Sequence, residues 1–337
     1  MNILSFLITF FVSLIFAPFV IKLSKKLKFG QNILGYVSEH SSKQGTPTMG
    51  GIIFILPTII VSLFFLKSNL TLSLLCLSVF LGYAIIGFLD DFIKIKFKRN
   101  LGLLPYQKII FQILIAVIVA VFVFNNKMLT NSIYLPFSVN KLNLGAFIIP
   151  FIVLVFLATT NSVNLTDGLD GLAGGVSLIF FFAIAVIGNF YMSFDINSLQ
   201  PEYVLQMQNL NTICWCVCGG LLAFLVFNFY PAKIFMGDTG SLSLGGLMAV
   251  ICAFNGTSLY IPIIGLMFVV SSVSVILQVL YFKRTKKRIF LMAPFHHHLQ
   301  HKGMYETKIV FIYIVITLIL ALASFWLLGL VWKKQII

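Results

Sequence analysis

Ten stretches of this chain are long, apolar and wholly without Asp, Glu, Lys or Arg: roughly residues 3–21, 51–66, 70–88, 109–124, 146–160, 176–192, 213–229, 242–254, 261–282 and 309–332. Only 9% of the 337 residues are charged and 60% are hydrophobic, whereas soluble domains carry about 25% charge. Stretches of this kind belong in lipid, where a segment must satisfy its own backbone hydrogen bonds. The expected fold is therefore all-α: a polytopic membrane protein, a bundle of ten transmembrane helices forming one integral-membrane domain over 1–337. Several stretches fall short of the ~17 residues a lone span needs, so their helices must run on into flanking polar residues. The shortest signals are 146–160 and 242–254. Residues 3–21 lack a preceding basic region and a small-residue cleavage motif, so they read as a retained span.

Charge then gives orientation. If the loop after the first stretch faces the cytosol, that side holds 18 of the 23 Lys and Arg residues and the other side 5. The positive-inside rule thus puts both termini outside. The acids obey the same parity. Glu39, Asp90, Asp91, Asp167, Asp170, Asp238 and Glu306 fall on the cytosolic side, and only Asp195 and Glu202 outside. The formal charge of +14 is consequently a membrane-anchoring feature, and no nucleic-acid partner is expected. The five cysteines all lie in apolar stretches and read as core residues, with no disulfide framework.

The densest chemistry lies in Asn161–Gly175, NSVNLTDGLDGLAGG, where Asn161, Asn164, Asp167 and Asp170 recur every third residue. Gly168 and Gly171 disfavour a continuous helix. The spacing predicts a helix end, a tight turn and a new helix start, gathering carboxylates and amides near free backbone N–H groups. Four further loops share that face. Lys43-Gln-Gly-Thr-Pro-Thr-Met-Gly-Gly51 offers glycines, a lysine and the Thr48 hydroxyl, either for a ligand or as a capped helix start; it lacks the Walker pattern. Leu89-Asp90-Asp91 sets two carboxylates at the end of the third stretch, where negative charge is disfavoured. A divalent cation or a phosphate-handling role would compensate it, and one carboxylate could serve as a base; the pair could instead balance nearby lysines. Asn228 through Phe235, Asp238 and Ser241 form a glycine and hydroxyl turn, in which Asp238 suits both an N-cap and a Mg²⁺ ligand. The last loop, Lys283–Lys308, holds a basic membrane-surface run and then His296, His297 and His298, donors suited to phosphate. Such an inventory fits a diphosphate with Mg²⁺, at the rim of a membrane enzyme joining a soluble anionic substrate to a lipid one.

In this order on ten spans, GTPTMGG, LDD, NxxNxTDGLDGLAGG, FMGDTGSLxLGG and PFHHHLxxxG resemble the phospho-N-acetylmuramoyl-pentapeptide transferase family. That family belongs to the polyprenyl-phosphate N-acetylhexosamine-1-phosphate transferase superfamily. The TPTMGG form and the triple histidine point to the muramoyl-pentapeptide branch; a sibling enzyme using UDP-N-acetylglucosamine and polyprenyl phosphate is the alternative. The resemblance implies transfer from UDP-N-acetylmuramoyl-pentapeptide to undecaprenyl phosphate, giving lipid I and UMP. That is the first membrane step of peptidoglycan synthesis, Mg²⁺-dependent, at the cytosolic face of a bacterial cytoplasmic membrane.

It also implies roles. Asp238 would bind Mg²⁺, and Asp90 and Asp91 would activate or position the lipid phosphate. Asn164, Asp167, Asp170 and Phe235 would hold the uridine, while Asn161, Asn228 and Ser241 line the site. Lys43, Thr48, Lys108 and Gln278 would contact substrate or nucleotide phosphate, and His296, His297 and His298 would orient the diphosphate or sugar. Apolar span surfaces would suit a homodimer. A transporter, from a different class, would need an ionisable path through the spans, which the sequence does not offer.

Overall fold

The computed structural model describes residues 2–27, 45–97, 102–195 and 200–336. Each apolar stretch is helical. In chain order the helices are α1 (Asn2–Lys26), α2 (Ile52–Phe65), α3 (Thr71–Lys96), α4 (Pro105–Asn125), α5 (Ile148–Thr166) and α6 (Leu172–Asp195). After them come α7 (Pro201–Asn228), α8 (Gly237–Phe254), α9 (Ile261–Ile264), α10 (Leu266–Thr285), α11 (Phe295–His301) and α12 (Glu306–Ile336). Among the described residues nine helices are long and apolar enough to cross a membrane, and α2 is a shorter apolar tenth. The chain is a membrane protein of helical class.

Helix ends follow local chemistry. Proline opens α4 and α7, where its missing N–H costs nothing. Lysine and arginine close α1, α3 and α10, where cations meet the negative helix end. The short sequence signals do extend as expected: α8 begins at Gly237, and its 18 residues reach about 27 Å. α7 starts at Pro201, so the polar run Gln206–Thr212 lies inside a helix. Gln206 and Asn209 are buried there and serve the segment leading from α2 into the first turn of α3. Asn209 accepts the Lys67 N–H at 2.9 Å and donates to the Lys67 carbonyl at 3.1 Å, while Gln206 accepts the Leu72 N–H at 3.0 Å.

Three features were not legible in the hydropathy pattern. The ninth stretch is not one helix, because the chain breaks at Gly265 between α9 and α10. A small antiparallel hairpin, β1 (Ser132–Tyr134) with β2 (Lys141–Asn143), follows α4 and pairs Ile133 with Leu142. Finally, α3 runs to Lys96, so Asp90 and Asp91 sit within its last turns rather than beyond its end.

At the centre stands α8, in which every residue from Thr239 to Phe254 is buried, packed against α3 and α5. Leucines and phenylalanines on α1, α4, α10 and α12 are exposed instead, as lipid-facing surfaces require. Because the helices alternate in direction, the C-terminal ends of α3, α5 and α7 meet the N-terminal ends of α8 and α12. That is the Lys- and Arg-rich end of the bundle.

Asn209→Leu should leave both Lys67 backbone groups unpaired, costing about 1–3 kcal/mol per group and visibly lowering the thermal unfolding midpoint in detergent. Truncation of the less buried neighbour Gln208 to Ala should shift it little; equal shifts would contradict the assigned role.

Candidate active site

Two helix ends build the core of the site. Asp90 and Asp91 project from α3 and are buried; Asp238 stands in the first turn of α8. One carboxylate oxygen from each of the three lies within 4.8 Å of the others. Two ammonium groups hold this charge. Lys94 Nζ is 2.6 Å from Asp90 Oδ2 and 3.0 Å from Asp238 Oδ2; Lys108 Nζ, from α4, is 2.6 Å from Asp238 Oδ2 and 4.0 Å from Asp90 Oδ2. Asn164 Nδ2 donates to Asp238 Oδ1 at 2.7 Å and to the Ser241 hydroxyl at 2.9 Å. The Leu103 N–H completes Asp90, donating to Oδ1 at 2.9 Å.

The N-cap expectation for Asp238 does not hold. Met236 occupies the cap position, without a side-chain cap, and the Asp238 carboxylate turns to Lys94, Lys108 and Asn164. Of the sequence readings of the Asp90–Asp91 pair, the balance by nearby lysines has a counterpart in Asp90, and the contacts of Asp91 belong to neither reading. Asp90 is balanced by Lys94 four residues on, whereas Asp91 takes three hydrogen bonds from α8: from Asp238 N at 3.2 Å, Thr239 N at 2.9 Å and Thr239 Oγ1 at 2.7 Å.

The turn between α5 and α6 forms the second wall. α5 ends at Thr166, and Gly171, with φ +80°, supplies the left-handed geometry that starts α6. Three long-range bonds fix this turn. Glu306 Oε1, at the head of α12, accepts the Asp170 N–H at 2.6 Å; Asn228 Oδ1 accepts the Gly171 N–H at 3.0 Å; Asp170 Oδ2 accepts the Ala232 N–H at 3.0 Å. Asn228 also donates to the Ile234 carbonyl at 2.9 Å. Asp170 and Asn228 thus shape the walls. Asp167, by contrast, caps the end of α5. Burial, together with the charges of Asp238, Asp91 and Asp170, pushes its carboxyl well above the ordinary carboxylate range.

α11 closes over that turn. A Cβ on Gly168 would overlap His296 Nε2 and would lie 3.0 Å from His297 Nε2, so only glycine admits these imidazoles. His296 is fully buried, and His297 Nδ1 meets Gln300 Oε1 at 2.7 Å. His298 diverges: it packs on Phe290 and Phe295, and its Nδ1 accepts the Leu291 N–H at 3.1 Å. Slight burial, with Lys302 and His301 nearby, lowers its pKa, as an acceptor requires.

The remaining expected residues split. Thr48 sits beside Gly237, in a loop whose backbone pairs with 235–236: Phe235 N donates to Pro47 O at 2.8 Å, and Gly50 N to Phe235 O at 2.8 Å. Phe235 itself is half-buried. Asn161 lies behind the centre, donating to Gln112 Oε1 at 2.8 Å. Gln278 is engaged with the loop after α10, accepting from Ile289 N and Phe290 N and donating to Phe290 O at 3.2 Å. Lys43 lies outside the described residues. Sequence reasoning gave Lys94, Thr239, Gln112 and Glu306 no site role. The i,i+4 spacing of Asp90 and Lys94 was a usable signal; nothing local marks the others.

A membrane-rim cluster of carboxylates answered by lysines, beside a glycine turn and imidazoles, is suited to handling phosphate. Residues 71–256 match glycosyl transferase family 4, which sets the class. Within it, residues 43–55 match the phospho-N-acetylmuramoyl-pentapeptide-transferase signature 1. The chain is 44% identical over 322 residues to the phospho-N-acetylmuramoyl-pentapeptide-transferase of Clostridium kluyveri, covering 95% of this chain and 97% of that one. It is 43% identical to the enzyme so named from Clostridium novyi, over 95% of both chains. The Clostridioides difficile enzyme of that name is 42% identical, over 94% of this chain and 95% of its own. The chain belongs to the phospho-N-acetylmuramoyl-pentapeptide-transferase family.

Two substitutions probe this geometry. Gly168→Ala should displace His296 and lower activity at least tenfold, while Asp167→Asn, which removes a carboxyl crowded by three others, should leave the unfolding midpoint unchanged or raised. A midpoint several degrees lower for Asp167→Asn would contradict the electrostatic reading.

Proposed function

We propose that this chain transfers phospho-N-acetylmuramoyl-pentapeptide from its UDP conjugate to undecaprenyl phosphate, forming lipid I and releasing UMP. The observation that carries the reading is the Asp90–Asp238 pair clamped by Lys94 and Lys108. It stands at the Lys-rich end of a membrane bundle, in reach of both a soluble nucleotide and a lipid phosphate. The positive-inside rule supports a cytosolic position for this end in a bacterial cytoplasmic membrane, with both termini outside.

The donor set suits Mg²⁺, which takes hard oxygens and binds through one or two carboxylates plus substrate phosphates. Asp238 and Asp90 would hold it, and when bound it supplies neutralisation of diphosphate charge. Lys94 and Lys108 are placed to move from carboxylate to phosphate oxygens as the substrate arrives. A lipid phosphate oxygen attacks the β-phosphorus in line; the new P–O bond forms as the bond to the bridging oxygen breaks, and UMP departs with that electron pair. Asp90, whose Oδ2 lies 2.6 Å from Lys94 Nζ, is the group assigned to accept a proton from the lipid phosphate. Asp167 and Phe235 would hold the uridine, and His296 and His297 face the turn at Gly168.

Membranes holding the protein should release UMP with UDP-N-acetylmuramoyl-pentapeptide and polyprenyl phosphate, and at least a hundredfold less with UDP-N-acetylglucosamine. Phe235→Ala should raise KM for the nucleotide sugar more than it lowers kcat. Preference for UDP-N-acetylglucosamine would instead assign the sibling reaction. UMP release without lipid phosphate would favour a covalent aspartyl intermediate over direct displacement.

A further inference from the structure

Two adjacent carboxylates of one helix would ordinarily be read as one functional unit, and the hydrogen bonds divide them. Successive residues on a helix point about 100° apart, and here that separates their tasks. Asp90 Oδ2 faces Lys94, Lys108 and Asp238, so it looks into the site. Asp91 is buried and faces α8, where three donors of the first turn converge on it. A carboxylate has about four acceptor positions, so three are already committed.

α8 lacks a side-chain cap of its own, since its cap residue is Met236. Asp91 supplies the missing function from another helix. It satisfies two of the orphan N–H groups at the start of α8 and sets a negative charge against the positive helix end. The α3 backbone fits the arrangement. One turn before Asp91 and on the same face, Gly87 lies so close to Asp238 that a Cβ there would overlap the Asp238 carbonyl. On the α8 side, Gly237 has φ +73°, and a Cβ on it would lie 2.6 Å from Asp91 Oδ2. Gly87 and Asp91 together form a socket for the backbone of the residue whose carboxylate reaches Lys94, Lys108 and Asn164.

We propose that Asp91 is a positioning residue: as a cap donated by α3 to α8, it fixes the Asp238 carboxylate, with Thr239 as its partner, and takes no direct part in proton transfer. The inference deepens the transferase reading and rests on it only for its kinetic consequence.

A double-mutant cycle on the full-length protein in detergent tests it, with Asp91→Asn, Thr239→Val, the double variant and Thr239→Ser. Each is read by kcat, by the unfolding midpoint, and by Mn²⁺ affinity from electron paramagnetic resonance. Asp91→Asn and Thr239→Val should each lower kcat and weaken Mn²⁺ binding by about 10- to 100-fold, the usual cost of losing a group that orients a ligand. Each should also lower the midpoint. The double variant should be little worse than Asp91→Asn alone, because the Thr239 hydroxyl acts only through the Asp91 carboxylate. Thr239→Ser, which keeps the hydroxyl, should return most of the loss. Should Asp91→Asn fail to fold, the contrast of Thr239→Val with Thr239→Ser still decides, since the proposal makes the Thr239 hydroxyl the third donor that holds the Asp91 carboxylate against α8. A near-silent Thr239→Val beside a crippled Asp91→Asn, or losses that simply multiply, would overturn the proposal and return Asp91 to the reacting groups. If the wild type released no UMP from any UDP-sugar, the transferase reading alone would fail. Coupling in midpoint and Mn²⁺ affinity would still judge the cap.

Discussion

Everything at the polar end of this bundle answers to one problem: three carboxylates held within a few ångströms of one another at the edge of a low-dielectric bundle. Ionised groups in such a place are expensive unless paired and hydrogen-bonded. The chain pairs them in two ways. Lys94 and Lys108 carry the charge balance for Asp90 and Asp238, while Asp91 is met by backbone and hydroxyl donors of α8. In the proposed reaction a divalent ion and a diphosphate would take the lysines' place at the carboxylates, and the lysines would supply the counter-charge to phosphate.

The scaffold makes this possible through helix direction. α3 and α5 bring their ends to the point where α8 begins, and α8 is buried along its length. Glu306 at the head of α12 and Asn228 at the end of α7 then pin the 167–171 turn from two sides. A single absent side chain, that of Gly168, lets His296 and His297 close against the turn. The site is therefore assembled from places far apart in the chain and is rigid because each wall is tied to a different helix.

What the chain reveals on its own is set by range. Ten spans, their extension into polar flanks, and the break at Gly168–Gly171 were legible because apolar length and glycine placement act locally. The clustering of Asp90 with Asp238 was foreseeable from sidedness and motif resemblance. The capping of α8 by Asp91 was not: its donors lie 147 and 148 residues away, and a helix surface gives no sign of which way a buried carboxylate faces. The continuation of α3 past Asp91 is hidden for the same reason, since the polar residues that seemed to end it are satisfied by other helices. The divergence of His298 from His296 and His297, and the engagement of Gln278 with the 289–290 backbone, are packing outcomes that no motif spacing encodes.

The most direct measurement is a Mn²⁺ titration of the purified protein followed by electron paramagnetic resonance, comparing the wild type with Asp238→Asn. One ion per chain, displaceable by Mg²⁺ and lost when the Asp238 carboxylate is replaced, is the predicted result. Unaltered stoichiometry and affinity in Asp238→Asn would show that the carboxylates of α3 and α8 do not share an ion, and the mechanism built on them would fall.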